Sequence, residues 1–174
     1  MVDIKHQRIP EKIPLNGVAG RMDFRYDHNS ADKAGMFGLD VGKGMFAIHV
    51  DYFQRSSNNT HIPGTALDEA AIRQQFQVDP STNSTNVIQN SHSNSQGGSA
   101  GISLIGKHGH LGGSYHEMVR NYGIPPGVPG HTEAGRTEQE AIRIDMSQRR
   151  YDLDGLWKTY WPALPKVKAK LSYI

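Results

Sequence analysis

The stretch Phe46-Ala-Ile-His-Val-Asp-Tyr52 places a large apolar side chain at every second position. Side chains of a β-strand point alternately to its two faces, so the large apolar groups share one face while Ala47, His49 and Asp51 share the other. The glycines of Gly42-Lys-Gly44, just before this stretch, supply the positive φ that a tight hairpin turn requires. The sequence therefore predicts a strand over about 45–55 that follows a hairpin turn.

Six further stretches alternate in the same way, and short and long connectors take turns between them. The predicted strands cover about 16–26, 34–41, 98–106, 110–119, 141–150 and 166–174. A second tight turn is predicted at Gly106–Gly109, whereas 56–97 and 121–138 are long connectors. Strands joined by tight turns pair with each other. The predicted fold class is all-β: an antiparallel meander of about seven strands with one or two long polar loops.

The composition excludes several classes of protein. The 174 residues include no cysteine, which excludes a disulfide framework and a thiolate metal site. Basic and acidic residues number 19 and 17 and are interspersed, so no nucleic-acid partner is predicted. No apolar run approaches the roughly 20 residues of a spanning helix. Within the first long connector, a short helix is predicted over 66–77 with Thr65 as its N-cap.

The alternation of apolar and polar residues along the predicted strands is compatible with two interpretations of the apolar faces. In a soluble all-β binding module these faces pack on each other. In an outer-membrane barrel they face lipid, long loops alternate with short turns, and strands of about 9–11 residues cross the bilayer at a tilt. Aromatic residues near strand ends are typical of the second class, and here they are Tyr26, Tyr52, Tyr115, Tyr151, Trp157 and Tyr160.

The membrane interpretation carries a further expectation about length. An odd number of strands does not close a bacterial barrel, and the N-terminal Met1–Lys5 lacks the apolar core of a signal peptide. On this interpretation the chain is expected to be a fragment that forms an incomplete transmembrane β-barrel.

Three groups of motifs resemble segments of one membrane-protein family. The first is Arg8-Ile-Pro-Glu-Lys-Ile-Pro14, and the second is Asn90-Ser-His-Ser-Asn-Ser-Gln-Gly-Gly-Ser-Ala-Gly-Ile-Ser103. The third comprises Asn121-Tyr-Gly-Ile-Pro125, His131-Thr-Glu133 and Ile144-Asp-Met-Ser-Gln-Arg-Arg-Tyr-Asp-Leu-Asp154. In order, they resemble the junction after the plug domain, the return into the fourth barrel strand, and a later loop with its strand in TonB-dependent outer-membrane receptors. The zinc-uptake type is the most similar subgroup.

This resemblance implies a division of the chain and a function. Residues 1–14 would be the linker that follows a missing plug domain, and residues 15–174 would be a partial receptor β-barrel. The parent protein would take up a metal ion or metal complex, zinc being expected, across the outer membrane of a Gram-negative bacterium. The implied partners are outer-membrane lipid, the plug, the remaining strands and, through the plug, the TonB motor. No cofactor is required, since zinc would be the transported ligand.

Histidines in the predicted long loops are candidate zinc ligands. His61, His92 and His131 lie in connectors on the same side, and Glu133 follows two residues after His131. Neutral imidazole and carboxylate suit zinc, and receptors of the zinc-uptake type carry such residues in external loops. The alternative is that these are ordinary solvated loop residues. His108 and His110, at a tight turn, are expected to be exposed to solvent.

The charged alternate positions are predicted to face the lumen of the barrel, where polar residues are a structural requirement. The predicted lumen-facing set is Arg21, Asp23, Arg25, His49, Asp51, Arg143 and Asp145. No enzyme activity is predicted. His116-Glu117 begins like a zinc-protease motif, but Arg120 stands where the second histidine belongs.

Overall fold

The structure is a computed structural model that describes residues 8–77, 83–125, 132–133, 136–137 and 142–174. In chain order, the elements are β1 (Val18–Asp27), β2 (Asp32–Lys43), β3 (Phe46–Ser57), β4 (His61–Thr65), α1 (Glu69–Phe76), β5 (Thr85–Val87), β6 (Ser93–Gly106), β7 (Gly109–Gly123), β8 (Thr132–Glu133), β9 (Arg136–Thr137), β10 (Arg143–Lys158) and β11 (Lys166–Tyr173). No helix in these ranges is long and apolar enough to cross a membrane.

Seven long strands form one antiparallel sheet in the order β1-β2-β3-β6-β7-β10-β11. Each long strand pairs with the next long strand along the chain, so the predicted all-β meander is confirmed. Two-residue turns join β2 to β3 and β6 to β7, and Gly44 adopts a φ of 64° in the first of them. Within the described residues, β1 and β11 are the two edges of an open sheet.

The connector between β3 and β6 carries small elements of its own. β4 pairs with β5, and α1 lies between them in the chain. The helix begins after Asp68, whose carboxylate accepts hydrogen bonds from the backbone N–H groups of Ala70 and Ala71. The predicted helix is confirmed in place, but Thr65 as its N-cap is wrong because the acidic residue three positions later satisfies the free amides.

Two strands of the main sheet are longer than the sequence predicts. β6 begins at Ser93 rather than near 98, and β10 continues to Lys158 rather than ending near 150. Trp157 therefore lies within a strand, although the sequence places it in the last turn. The start of β6 was missed because residues 93–96 are polar on both faces. The end of β10 was missed because polar residues near Gln148 interrupt the alternation before Tyr151, Leu153 and Trp157 resume it.

One face of the main sheet is apolar and exposed to solvent. The register places even residues of β1, β3, β6 on the same face as odd residues of β2, β7, β10 and β11. Side chains on this face remain exposed, among them Val18, Met22, Phe24, Phe37, Val41, Phe46, Ile48, Val50, Ile102, Leu104, Leu111, Leu153, Trp157, Val167 and Leu171. We call this surface the apolar face.

Burial in this chain is the reverse of that in a soluble domain. Among the described residues, the buried apolar side chains are Ala47 and Ile72, whereas eight polar or charged residues are buried. Ala47 lies on the face of the main sheet that is opposite to the apolar face, and Ile72 lies in α1. Within the part of the chain that the structure describes, the sheet therefore has no apolar core of its own.

Candidate functional site

The polar face is the surface of the main sheet opposite to the apolar face, and it holds most of the buried side chains. Seven of the eight buried polar residues lie on it: Asp32, His49, Ser99, Ser103, His110, His116 and Asp154. Buried polar groups are costly unless they are paired. The contacts that pair them define the candidate site.

Residues 8–14, which we call the strap, cross the polar face from β10 to β2. Arg8 forms an ion pair with Asp152, with 3.6 Å between Nη1 and Oδ2. The carbonyl oxygen of Pro10 accepts a hydrogen bond from the Ser103 hydroxyl. At the other end, the Pro14 carbonyl accepts a bond of 2.9 Å from the backbone N–H of Gly17, just before β1. The strap is thus held to the sheet near Arg8 and Pro10 and ends in a turn that leads into β1.

Glycines of the sheet make room for the strap. A Cβ atom on Gly101 would overlap the carbonyl oxygen of Arg8, and one on Gly112 would lie 2.5 Å from Cγ2 of Ile9. A Cβ atom on Gly42 would lie 3.0 Å from Cγ2 of Ile13. Since no larger residue fits these positions without displacing the strap, the glycines form its seat.

His49 connects three strands at the centre of the polar face. Its Nδ1 lies 2.8 Å from Oδ1 of Asp40, and its Nε2 lies 2.9 Å from Oδ2 of Asp51. The Ser99 hydroxyl donates to Asp51 from β6. Both ring nitrogens of His49 thus face a carboxylate, and the histidine links Asp40 of β2 to Asp51 of β3.

A second buried pair joins β7 to β10 near the tight-turn end of the sheet. His110 Nε2 lies 2.9 Å from Oδ1 of Asp154, and Lys170 on β11 places its Nζ 3.3 Å from Oδ2 of the same carboxylate. The carboxylate of Glu11, on the strap, approaches this pair: one ligand atom each from Glu11, His110 and Asp154 lie within 4.8 Å of one another.

A third cluster joins the loop ends of β1, β2 and β3. Asp32, which is 4% exposed, accepts hydrogen bonds from Nη2 of Arg55 at 2.8 Å and from Nη2 of Arg25 at 3.1 Å. The pKa of the Asp32 carboxyl lies below its usual value, because the hydrogen bond from Arg55 and the positive charges of both arginines outweigh the opposing effect of burial.

Most of the predicted lumen-facing residues share the polar face, but two do not. Arg21, Asp23, Arg25, His49 and Asp51 lie on it. The prediction that Arg143 and Asp145 lie with them is wrong, because β10 pairs with β7 without a register shift from Arg143 to Trp157.

Arg143 and Asp145 instead lie on the same face of β10 as Tyr151, Leu153 and Trp157, toward the start of the strand. The side chains around them on that face are polar: Glu117 and Arg149 form an ion pair at 3.1 Å, and Asn121 donates to Asp145. Alternation in this part of β10 puts the apolar residues Ile144 and Met146 on the polar face.

The predicted zinc ligands are not brought together within the described residues. His92 is engaged by other groups: its backbone N–H donates to Oδ1 of Asn59 at 3.0 Å, and the Arg143 guanidinium lies against its ring. His61 is exposed at the start of β4, and neither histidine belongs to a group of three metal-ligating side chains there. His131 and the side chain of Glu133 lie outside the part of the chain that the structure describes.

Sequence reasoning missed the buried histidines of β7. His110 was expected to be exposed at a turn, and this is wrong: it is 8% exposed and paired with Asp154. His116 is also 8% exposed, and its Nδ1 has no hydrogen-bond partner within the described residues. The available signal was phase, since both histidines alternate with Leu111 and Tyr115 and so belong to the polar face.

Chemically, the polar face is a set of paired charges with a peptide segment seated across it, and it can bind or guide a polar chain or a cation. No protein-family model matches the chain.

Proposed function

We propose that this chain forms seven consecutive strands in the wall of an outer-membrane β-barrel of the TonB-dependent receptor type. The observation that carries the proposal is the apolar face: Phe24, Ile102 and Leu153 are 76%, 53% and 54% exposed, and comparable side chains continue across the sheet. Soluble monomers rarely expose apolar patches larger than a few hundred Å². Lipid contact gives such a face a favourable environment.

The distribution of aromatic residues supports a membrane boundary. On the apolar face, the ring centroids of Tyr115 and Tyr151 are 5.1 Å apart, and those of Tyr151 and Tyr173 are 6.4 Å apart. Beyond this row of tyrosines, the side chains on the same face of the sheet become polar, beginning with Glu117 and Arg149. Tyrosine between an apolar band and a charged band is typical of a membrane–water interface.

The polar face supports the receptor type within this class. A barrel lumen carries polar side chains, and a receptor barrel also holds a plug whose chain must enter the first strand. Two features of the strap support this comparison: it lies on the polar face, and it leads directly to β1. We propose that residues 8–14 are the linker from a plug domain, and that the plug connects the barrel to the TonB motor.

The proposed cargo is a metal ion or metal complex, with zinc favoured by the resemblance of the loop motifs to receptors of the zinc-uptake type. Loop residues His61, His92, His131 and Glu133 are the proposed ligands. His92 would have to exchange its contact with Arg143 for the metal, so we propose that cargo binding rearranges this loop end.

Flotation with phospholipid vesicles tests the membrane assignment. We expect the refolded chain to float with the vesicles, and we expect Leu153→Arg to reduce this binding because a cation on the lipid-facing side of a barrel strand is costly, by up to about 2–4 kcal/mol at the bilayer midplane. Ala19→Arg is the matched control, since it adds the same charge to the polar face of β1. A chain that stays monomeric in plain buffer and does not float would favour the soluble all-β binding module.

A further inference from the structure

We propose that Glu11, His110 and Asp154 form a zinc site that fastens the strap to the sheet. The three residues come from the strap, β7 and β10, and one ligand atom of each lies within 4.8 Å of the other two. This site is separate from the loop histidines proposed to bind cargo, and it does not depend on them. It lies on the polar face near the tight-turn end of the sheet.

The donor set selects the class of metal. One imidazole nitrogen and two carboxylate oxygens suit zinc, which binds such atoms at about 2.0–2.2 Å and takes water at a remaining position. Calcium and magnesium prefer oxygen ligands alone. The site therefore fits zinc or a similar divalent transition metal.

Two of the three ligands are already held in place. His110 and Asp154 are 8% and 9% exposed, and they share a hydrogen bond of 2.9 Å. Zinc would bind Nε2 in place of the hydrogen that lies between Nε2 and Oδ1, and the neutral imidazole would then carry its one proton on Nδ1. Little side-chain freedom remains to be lost when the metal binds.

The third ligand is placed by the seat of the strap. The carbonyl oxygen of Pro10 is bound by Ser103, and Ile9 lies against Gly112, so the chain position of Glu11 is fixed by contacts that need no metal. Within the described residues, the Glu11 carboxylate has no hydrogen bond or ion pair. It is available to bind a cation.

The positive charge of Lys170 opposes cation binding at this site, so removing that charge tests the proposal. The Nζ of Lys170 lies 3.3 Å from Oδ2 of Asp154, but the side chain is 64% exposed and can move into solvent. Removing this positive charge should strengthen zinc binding. A merely structural role of the cluster predicts no such gain.

Zinc titration of the full chain, folded in detergent micelles, is the direct experiment. Competition with a chromophoric chelator measures affinity, and cleavage by trypsin after Lys12 measures release of the strap. We expect zinc to slow this cleavage in the wild type. Glu11→Gln and His110→Asn should each lower the affinity of this site by about tenfold or more and abolish the protection. Lys170→Met should bind zinc several-fold more tightly.

Two controls separate this site from other histidines. His108→Asn changes a half-buried ring at the turn, which was expected to be exposed and instead lies against Tyr160, and it should leave strap protection unchanged. His92→Ala removes a proposed cargo ligand, and it should leave strap protection unchanged as well. The proposal is overturned if zinc does not protect the strap of the wild type, or if Glu11→Gln and His110→Asn are protected as well as the wild type.

Discussion

Asp32 illustrates how one carboxylate stabilises the loop end of this sheet. It lies on β2 and accepts hydrogen bonds from Arg25 on β1 and Arg55 on β3. Both guanidinium groups are at least half exposed, with side-chain exposures of 60% and 50%, so each can return to water if the carboxylate is lost. The pairing therefore contributes modestly to stability, although it joins three strands.

We expect Asp32→Asn to lower the free energy of unfolding of the micelle-folded chain by about 1–2 kcal/mol at neutral pH. Because the folded-state pKa of Asp32 is lowered, its contribution is present above the unfolded-state pKa of about 3.9 and is lost as pH falls through the folded-state value. Urea unfolding across this pH range measures the effect. Asp23→Asn, on the same face, should change stability little at any pH in the series.

At the scale of single residues, sequence predicts which face a side chain occupies only where the alternation is anchored by apolar neighbours. His49 and Asp51 lie between Ile48, Val50 and Tyr52, so their face could be predicted. Arg143 and Asp145 lie where both faces of β10 are mixed, and a continuous register reverses the predicted face. Pairing partners such as Asp154 for His110 depend on strand register, which period two does not specify.

The strap is the element that sequence described least well. Its prolines predicted a linker, but nothing in residues 8–14 indicated that they lie on the sheet. The complementary signal was in the strands, where Gly101 and Gly112 interrupt the polar rows of β6 and β7. The role of these two glycines becomes clear only from the pairing register of β6 and β7, which brings both of them under the strap.

We expect Gly101→Ala to displace the strap, because the added Cβ atom would overlap the carbonyl oxygen of Arg8. Trypsin should then cleave after Lys12 several-fold faster in the metal-free, micelle-folded chain, while the β-sheet circular dichroism stays unchanged. Gly38→Ala is the matched control, since a Cβ atom there meets nothing within 4 Å. Equal cleavage rates in the two variants would contradict a seated strap.

The long strands were predictable as elements, whereas several of their ends were not. Tight turns with glycine fixed the ends of β2, β3, β6 and β7 at one side of the sheet. At the other side, polar side chains on both faces hid the first residues of β6. The second half of β10 was missed because the polar residues Gln148 and Arg149 interrupt the alternation just before it.

At the scale of the whole molecule, the sheet has one face that carries paired charges and one face that is apolar and exposed. This arrangement stabilises a folded state only if another phase or another layer covers the apolar face. Both edges of the sheet are also open within the described residues, which favours pairing with further strands. Lipid contact on the apolar face and additional strands at the edges would satisfy both requirements.

Lipid quenching of single cysteines tests this account most directly, and the absence of native cysteine makes the labelling specific. Met22→Cys lies on the apolar face of β1 and Asp23→Cys lies on the polar face, one residue away. With an environment-sensitive fluorophore and vesicles of brominated phospholipid, we expect strong quenching at position 22 and weak quenching at position 23. Equal quenching at the two positions, or none at position 22, would contradict the assignment of the apolar face to lipid.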